Sequence, residues 1–260
     1  MTKIRFWREM LSEIYATAFM VSVGICATGQ YMLSNGTASS LWMVNLAWGF
    51  AITFAIYAAF NVSGGHINPS ISIAQWWLKK LTFFELCGYF LAQIIGASIG
   101  SLIALAVYRE AIGEWVLTQN ATFATVDLKP FFVSMPAGHL THWGGFLNEL
   151  VGTSFLGMFI AMVSRENTPI PPKAVPLLFG LNAMMLGSSF GFNTGCPLNP
   201  AREVGPRIVA YLLGYADDIF SHDNFYLWTL VAGPLAGSLL GLLTRISFDI
   251  CGLSLRKNEQ

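Results

Sequence analysis

The sequence predicts an all-α membrane protein with six transmembrane helices and two re-entrant half-helices in an inverted repeat. Three observations lead there. With 54% hydrophobic and only 11% charged residues among 260, the chain is too apolar for a water-soluble domain of that size. Six apolar stretches have about the twenty residues needed to cross a hydrocarbon core. Two further segments, around Asn68 and Asn199, are too short to span and too apolar and glycine-rich for solvent loops. Backbone at that depth is tolerated only where it lines a cavity or is buried in protein.

The first span, at about residues 11–33, follows Lys3, Arg5 and Arg8 and has no small-residue cleavage site, so it reads as a transmembrane helix and not as a removed signal. The second lies at about 42–60. Next comes Val62-Ser63-Gly64-Gly65-His66-Ile67-Asn68-Pro69-Ser70, where Asn68 is a good cap and Pro69 suits the first helical position, its fixed φ being helical and its missing N–H an orphan donor there. A third span occupies about 85–108. Residues 109–144 form the one long connection, with Pro130, Pro136 and two histidines; such loops usually carry function or are mobile. Spans at about 146–164 and 174–191 precede the second Asn-Pro segment, Pro197-Leu198-Asn199-Pro200-Ala201-Arg202, and a sixth runs over about 226–248.

The halves, about 9–108 and 145–248, echo each other within one channel domain covering 1–260. Glu13-Ile14-Tyr15-Ala16-Thr17 opens span one and Glu149-Leu150-Val151-Gly152-Thr153 opens span four. Small-residue runs, Ala92 to Ala97 and Ala232 to Gly237, lie in spans three and six and permit close helix approach. Three spans per half means opposite orientation, so the two half-helices enter from opposite faces and bring their positive ends together near the midplane.

Net charge is zero and gives no sign of nucleic acid as a partner. Lys3, Arg5, Arg8, Lys79, Lys80, Arg165, Lys173, Arg245, Arg256 and Lys257 fall on one side of the threading, leaving Arg109, Lys129, Arg202 and Arg207 for the other. The positive-inside rule then puts both termini in the cytoplasm. The sequons at Asn35 and Asn120 fall outside, as possible glycosylation sites. Cys26, Cys87, Cys196 and Cys251 lack metal-ligand spacing, so neither a metal site nor a disulfide framework is implied.

The two Asn-Pro stretches, the second continuing as Glu203-Val204-Gly205-Pro206-Arg207, are highly specific. On them the chain resembles the major intrinsic protein family, the aquaporins, and within it the aquaglyceroporins, from about Glu13 to Gly241. The resemblance implies a passive channel for water, glycerol and other small neutral solutes such as urea and polyols, excluding ions and protons, with no cofactor and four protomers in a plasma membrane. It places Asn68, Pro69, Ser70, Asn199, Pro200 and Ala201 at the pore midpoint and Trp48, Gly187, Cys196 and Arg202 in a selectivity ring. Carbonyls of Gly64, Gly65, His66, Gly195, Cys196 and Pro197 become an acceptor ladder, and Glu13, Glu149 and Glu203 support the loops. Ser70 departs from the usual alanine, and Glu203 from the usual aspartate. Glu203, with Arg207 one turn on, and Pro234-Leu235 in span six match the glycerol-passing subclass.

Alone, several of these residues read differently. Trp48 suits an interfacial belt, and each asparagine a simple cap. His66 could gate by protonation or be fixed packing, and His139, His142 and His222 belong to outer loops. Gly187-Ser188-Ser189-Phe190-Gly191 matches a hydrolase G-x-S-x-G, but at the end of a membrane helix with no adjacent strand, so small-residue packing explains it better and no enzyme is expected. A junctional protein with a nearly closed pore would need bulk at Gly187 or Cys196. A coupled transporter would saturate and follow an ion gradient.

Overall fold

The computed structural model describes residues 3–123, 126–165 and 168–250. Arg256, Lys257 and Cys251 lie outside the described residues. The order is α1 (Lys3–Leu33), α2 (Leu41–Ala59), α3 (Pro69–Trp77), α4 (Phe83–Thr118), α5 (Lys129–Phe132), α6 (His142–Val163), α7 (Val175–Thr194), α8 (Pro200–Leu212), α9 (His222–Phe225) and α10 (Leu227–Ile250). Among the described residues six helical stretches, built on α1, α2, α4, α6, α7 and α10, are long and apolar enough to cross a membrane. Helices α3 and α8, of 9 and 13 residues, extend about 14 and 20 Å at 1.5 Å per residue, well short of a hydrocarbon core. The outward surface is apolar: Phe54, Val107 and Phe155 are all exposed, as lipid requires.

Capping sets several helix starts. Ser40 accepts from Met43 N, Thr82 and Glu85 form a reciprocal capping box, and Thr141 accepts from Gly144 N. That last cap starts α6 at His142, so this residue opens a helix and is not a loop residue. The long connection is also shorter than the sequence suggests, because α4 runs on to Thr118. Ile112 and Val116, at i and i+4, are buried in the same core as Leu128, Phe131 and Phe132, and that burial keeps the extra turns helical.

The most extensive packing joins α1 to α4 and α6 to α10. The cause is the same in both halves. A β-carbon at Gly96 or Gly100 would come within 2.5 Å of the Ile14 or Ala18 carbonyl oxygen. Gly237 and Gly241 stand as close to the carbonyls of Leu150 and Ser154. These contacts pair Gly96 with Gly237, one residue off the register suggested by Ala92 opposite Ala232, so Pro234 occupies the place of Gln93. Each half-helix also leans on the opposite half, α3 on α10 and α8 on α4.

Candidate functional site

The two half-helices meet end to end. Asn68 caps α3, its Oδ1 accepting from Ser70 N at 2.8 Å; Asn199 caps α8, accepting from Ala201 N at 3.0 Å and Arg202 N at 3.3 Å. Pro69 and Pro200 take the first helical positions. Each amide then crosses to the other loop: Asn68 Nδ2 donates to Leu198 O and Asn199 Nδ2 to Ile67 O, both at 2.9 Å. A carboxamide has two N–H groups, so one remains on each side chain for the chamber that both line. This cross-brace fixes both amides and was not legible in the sequence, which predicts only donors aimed at the lumen.

Behind each loop sits a buried glutamate. Glu13 accepts from Ser63 Oγ, His66 N, Ile67 N and Gln93 Nε2 at 2.7–2.9 Å. Glu149 accepts from Thr194 Oγ1 at 2.6 Å and Leu198 N at 3.1 Å. Both carboxylates are fully buried, so such donors are what make them tolerable. Backbone geometry repeats too: Gly64, Gly65 and Ile67 take φ of 87°, 63° and 48°, and Gly195, Cys196 and Leu198 take 77°, 50° and 50°. Those left-handed turns give the two loops the same backbone course.

A wide vestibule of about 440 Å³ opens beside the start of α1, lined by Arg5, Glu9, Gly64, Gly65, His66 and Lys80 among others. It shares Ile56, Ile71 and Phe179 with a narrower chamber of about 100 Å³. Around that chamber stand Asn68, Asn199, Gly195, Cys196 and Pro197 together with Trp48, Gly187 and Arg202. Every residue expected in the selectivity ring is therefore in one place. The Arg202 guanidinium lies 5.1 Å from the Trp48 ring centroid, a cation–π contact, and Trp48 Nε1 donates to Thr28 Oγ1 at 3.3 Å. The Cys196 thiol points to Leu186 O at 3.5 Å. The room left by Gly187 is partly taken, because Asn45 Oδ1 would lie 2.8 Å from a β-carbon there.

Glu203 does more than pair with Arg207. Its Oε2 is bonded to Arg207 Nη1, its Oε1 accepts from Arg202 Nη1 at 2.6 Å, and Ser134 N donates to it at 3.3 Å. Arg207 Nη2 donates to Ser134 O at 3.2 Å and Arg202 Nη1 to Phe132 O at 3.4 Å. All three charged groups are buried, so the glutamate balances both arginines and ties α8 to the α5 segment. The longer side chain sits beside its own neighbour and one turn back from Arg207, which lets one carboxylate serve both.

Other predicted positions fall as follows. Ser70 is fully buried, its Oγ has no hydrogen-bond partner among the described residues, and it lies off the chamber wall; Ala201 is likewise buried in α8. Asn35 and Asn120 are exposed in turns at φ near 50°. Ser189 lies within α7, so the strand-to-helix elbow of a hydrolase is absent. His66 Nδ1 is 3.2 Å from Ser72 Oγ. Sequence reasoning missed Asn45, Gln93, Ser134 and the pair Ser63 and Thr194. That pair had a signal, a hydroxyl five residues before each Asn-Pro asparagine.

Over residues 1–244 the chain matches the model of the Major intrinsic protein family. The chain belongs to the major intrinsic protein family. It is 34% identical over 251 residues to Aquaporin-9 of Mus musculus, covering 93% of this chain and 82% of that one. With Aquaporin-10 of Homo sapiens it shares 32% over 238 residues, 91% of this chain and 79% of the relative. Among solved structures it superposes on the aquaglyceroporin from Plasmodium falciparum with a TM-score of 0.81 at 27% identity, covering 95% of this chain and 98% of the other. Within the family it groups with the aquaglyceroporins, and it is a multi-pass membrane channel, not an enzyme.

Proposed function

We propose that the chain conducts water, glycerol and other small neutral solutes such as urea passively down their gradients while excluding ions and protons. One observation carries this reading: Trp48, Arg202 and Gly187 stand around the same narrow chamber as the paired asparagine amides. An apolar ring face opposite a guanidinium suits a polyol, whose CH groups and hydroxyls lie on different sides. The free amide N–H groups hold each passing oxygen, and two half-helix N-termini oppose cations there. Carbonyls of Gly64, Gly65, His66, Gly195, Cys196 and Pro197 supply acceptors along the way. Glu13, Glu149 and Glu203 hold the loops in shape. The domain works as one channel per protomer in a homotetramer, in the plasma membrane with both termini cytoplasmic and Asn35 and Asn120 available for glycosylation.

Stopped-flow light scattering of reconstituted vesicles tests the solute assignment. Glycerol should equilibrate well above the bare-lipid rate and without saturating; a glycerol rate equal to that of protein-free vesicles removes the assignment.

A further inference from the structure

We propose that Asn45 is a specificity-determining residue of the narrow ring, its side-chain carbonyl accepting a hydrogen bond from the hydroxyl or amide N–H of the passing solute. The inference rests on the channel reading above and adds a side-chain acceptor at the ring to the loop carbonyls named there.

Asn45 lies three residues before Trp48 on α2, so both side chains share a helix face, and both line the narrow chamber. Its Nδ2 donates to Ser188 Oγ at 3.3 Å, which turns Oδ1 toward Gly187, where a β-carbon would meet it at 2.8 Å. The amide thus fills the space that glycine leaves. Ser188, embedded in the G-x-S-x-G look-alike, acquires a role as the anchor that aims it.

The chemistry of the ring asks for such a group. Arg202 is donor-only, the Trp48 N–H is committed to Thr28, and the Cys196 thiol points to Leu186 O. Among the described residues no donor to Asn45 Oδ1 is found, so it is the side-chain acceptor on this level of the pore. A hydroxyl crossing here must place its oxygen and its hydrogen at once. Arg202 takes the oxygen and Asn45 the hydrogen. Water depends on the pair less, since neighbours in its own file satisfy it, so removing the acceptor should penalise polyols selectively.

Steric and hydrogen-bonding accounts of Asn45 predict opposite outcomes for Asn45→Ala, which widens the ring while deleting the acceptor. Glycerol and water permeabilities per reconstituted channel should be measured for wild type, Asn45→Ala, Asn45→Leu and Ser188→Ala. We expect the glycerol-to-water ratio to fall roughly three- to ten-fold in Asn45→Ala and Asn45→Leu, as for the loss of one hydrogen bond, and by less in Ser188→Ala. A ratio that is unchanged or raised in Asn45→Ala assigns the residue to packing and overturns the proposal. Asn45→Leu, which keeps the branched heavy-atom shape of asparagine without its acceptor, decides the matter if the alanine variant does not assemble: a ratio equal to wild type overturns it equally. Wild-type vesicles that pass no glycerol would instead remove the channel reading, and the inference with it.

Discussion

The loops carrying Asn68 and Asn199 follow one backbone plan but are anchored by different chemistry. Around Glu13 the structure places four donors, and around Glu149 two. Proline explains both differences: Pro197 has no N–H where His66 donates, and Pro234 stands where Gln93 reaches across. The second loop recovers its support from the other side, through the Arg202–Glu203–Arg207 cluster and Ser134. The first half has Ile71 and Ser72 at those positions, with Ser72 bound to Gln93. One half is thus anchored by a neutral hydrogen-bond web around a single carboxylate, the other by a charge cluster that also supplies the ring arginine. The inverted repeat sets the backbone, and the side chains divide support from selection.

The comparison can be broken most forcefully at Glu203. Glu203→Gln leaves two buried guanidiniums without their carboxylate, and the loss should be about 3–5 kcal/mol, read as a large fall in thermal unfolding temperature in detergent. A variant as stable as wild type would mean the cluster is not the second loop's anchor. Next comes the contrast between glutamates. Glu13→Gln should cost roughly 2–3 kcal/mol and Glu149→Gln about 1–2, following the number of charge-assisted bonds lost; the reverse order in the same melting assay would contradict the asymmetry.

Gly65 and Cys196 sharpen it further, since both sit at left-handed φ, at 63° and 50°. Gly65→Ala adds a β-carbon 3.0 Å from Ile56 Cα and should destabilise by about 1–3 kcal/mol. Cys196→Gly relieves backbone strain but loses the sulfur's packing, so its net effect should be smaller. Melting temperatures equal in the two variants would argue against the inference that the first loop depends on a bare glycine.

The smallest effect belongs to the periphery of the second half. Lys129 Nζ is 3.0 Å from both Asp218 carboxylate oxygens, and that hydrogen bond with its charge holds the carboxyl below the usual aspartate range. A lowered folded value contributes stability that is present above the unfolded aspartate pKa and is lost as pH falls through the folded one. Because the Asp218 carboxylate is more than half exposed and screened by solvent, the pair should be worth under about 0.5 kcal/mol. Lys129→Ala should lower the melting temperature slightly at neutral pH and not at all in strong acid; an equal loss at both would point to packing.

Much of this was written locally. Asn-Pro pairs, the two spaced glutamates and the small-residue runs are contiguous patterns whose physics needs no partner, so the six spans and both half-helices are legible, whereas the ring positions followed only from the family resemblance. What escaped depends on contacts across the repeat. Asn68 reaches Leu198 over 130 residues and Asn199 reaches Ile67 over 132, and no local pattern encodes which carbonyl meets which amide. Gln93 and Ser134 are likewise ordinary residues until folding sets them beside a carboxylate. Asn45 was hidden by Gly187, whose missing side chain suggested open space instead of a neighbour. The end of span three was misjudged because Ile112 and Val116 find their core only in the α5 segment, which follows the helix they extend.

The central claim is that two half-helix N-termini present amide donors to one file of solutes and thereby bar protons. Glycerol equilibration and proton leak measured in the same wild-type proteoliposomes, by light scattering and an enclosed pH dye, test it together. Fast glycerol entry with a proton leak no greater than that of protein-free vesicles is the predicted result. Proton flux rising in step with the amount of channel reconstituted would contradict it.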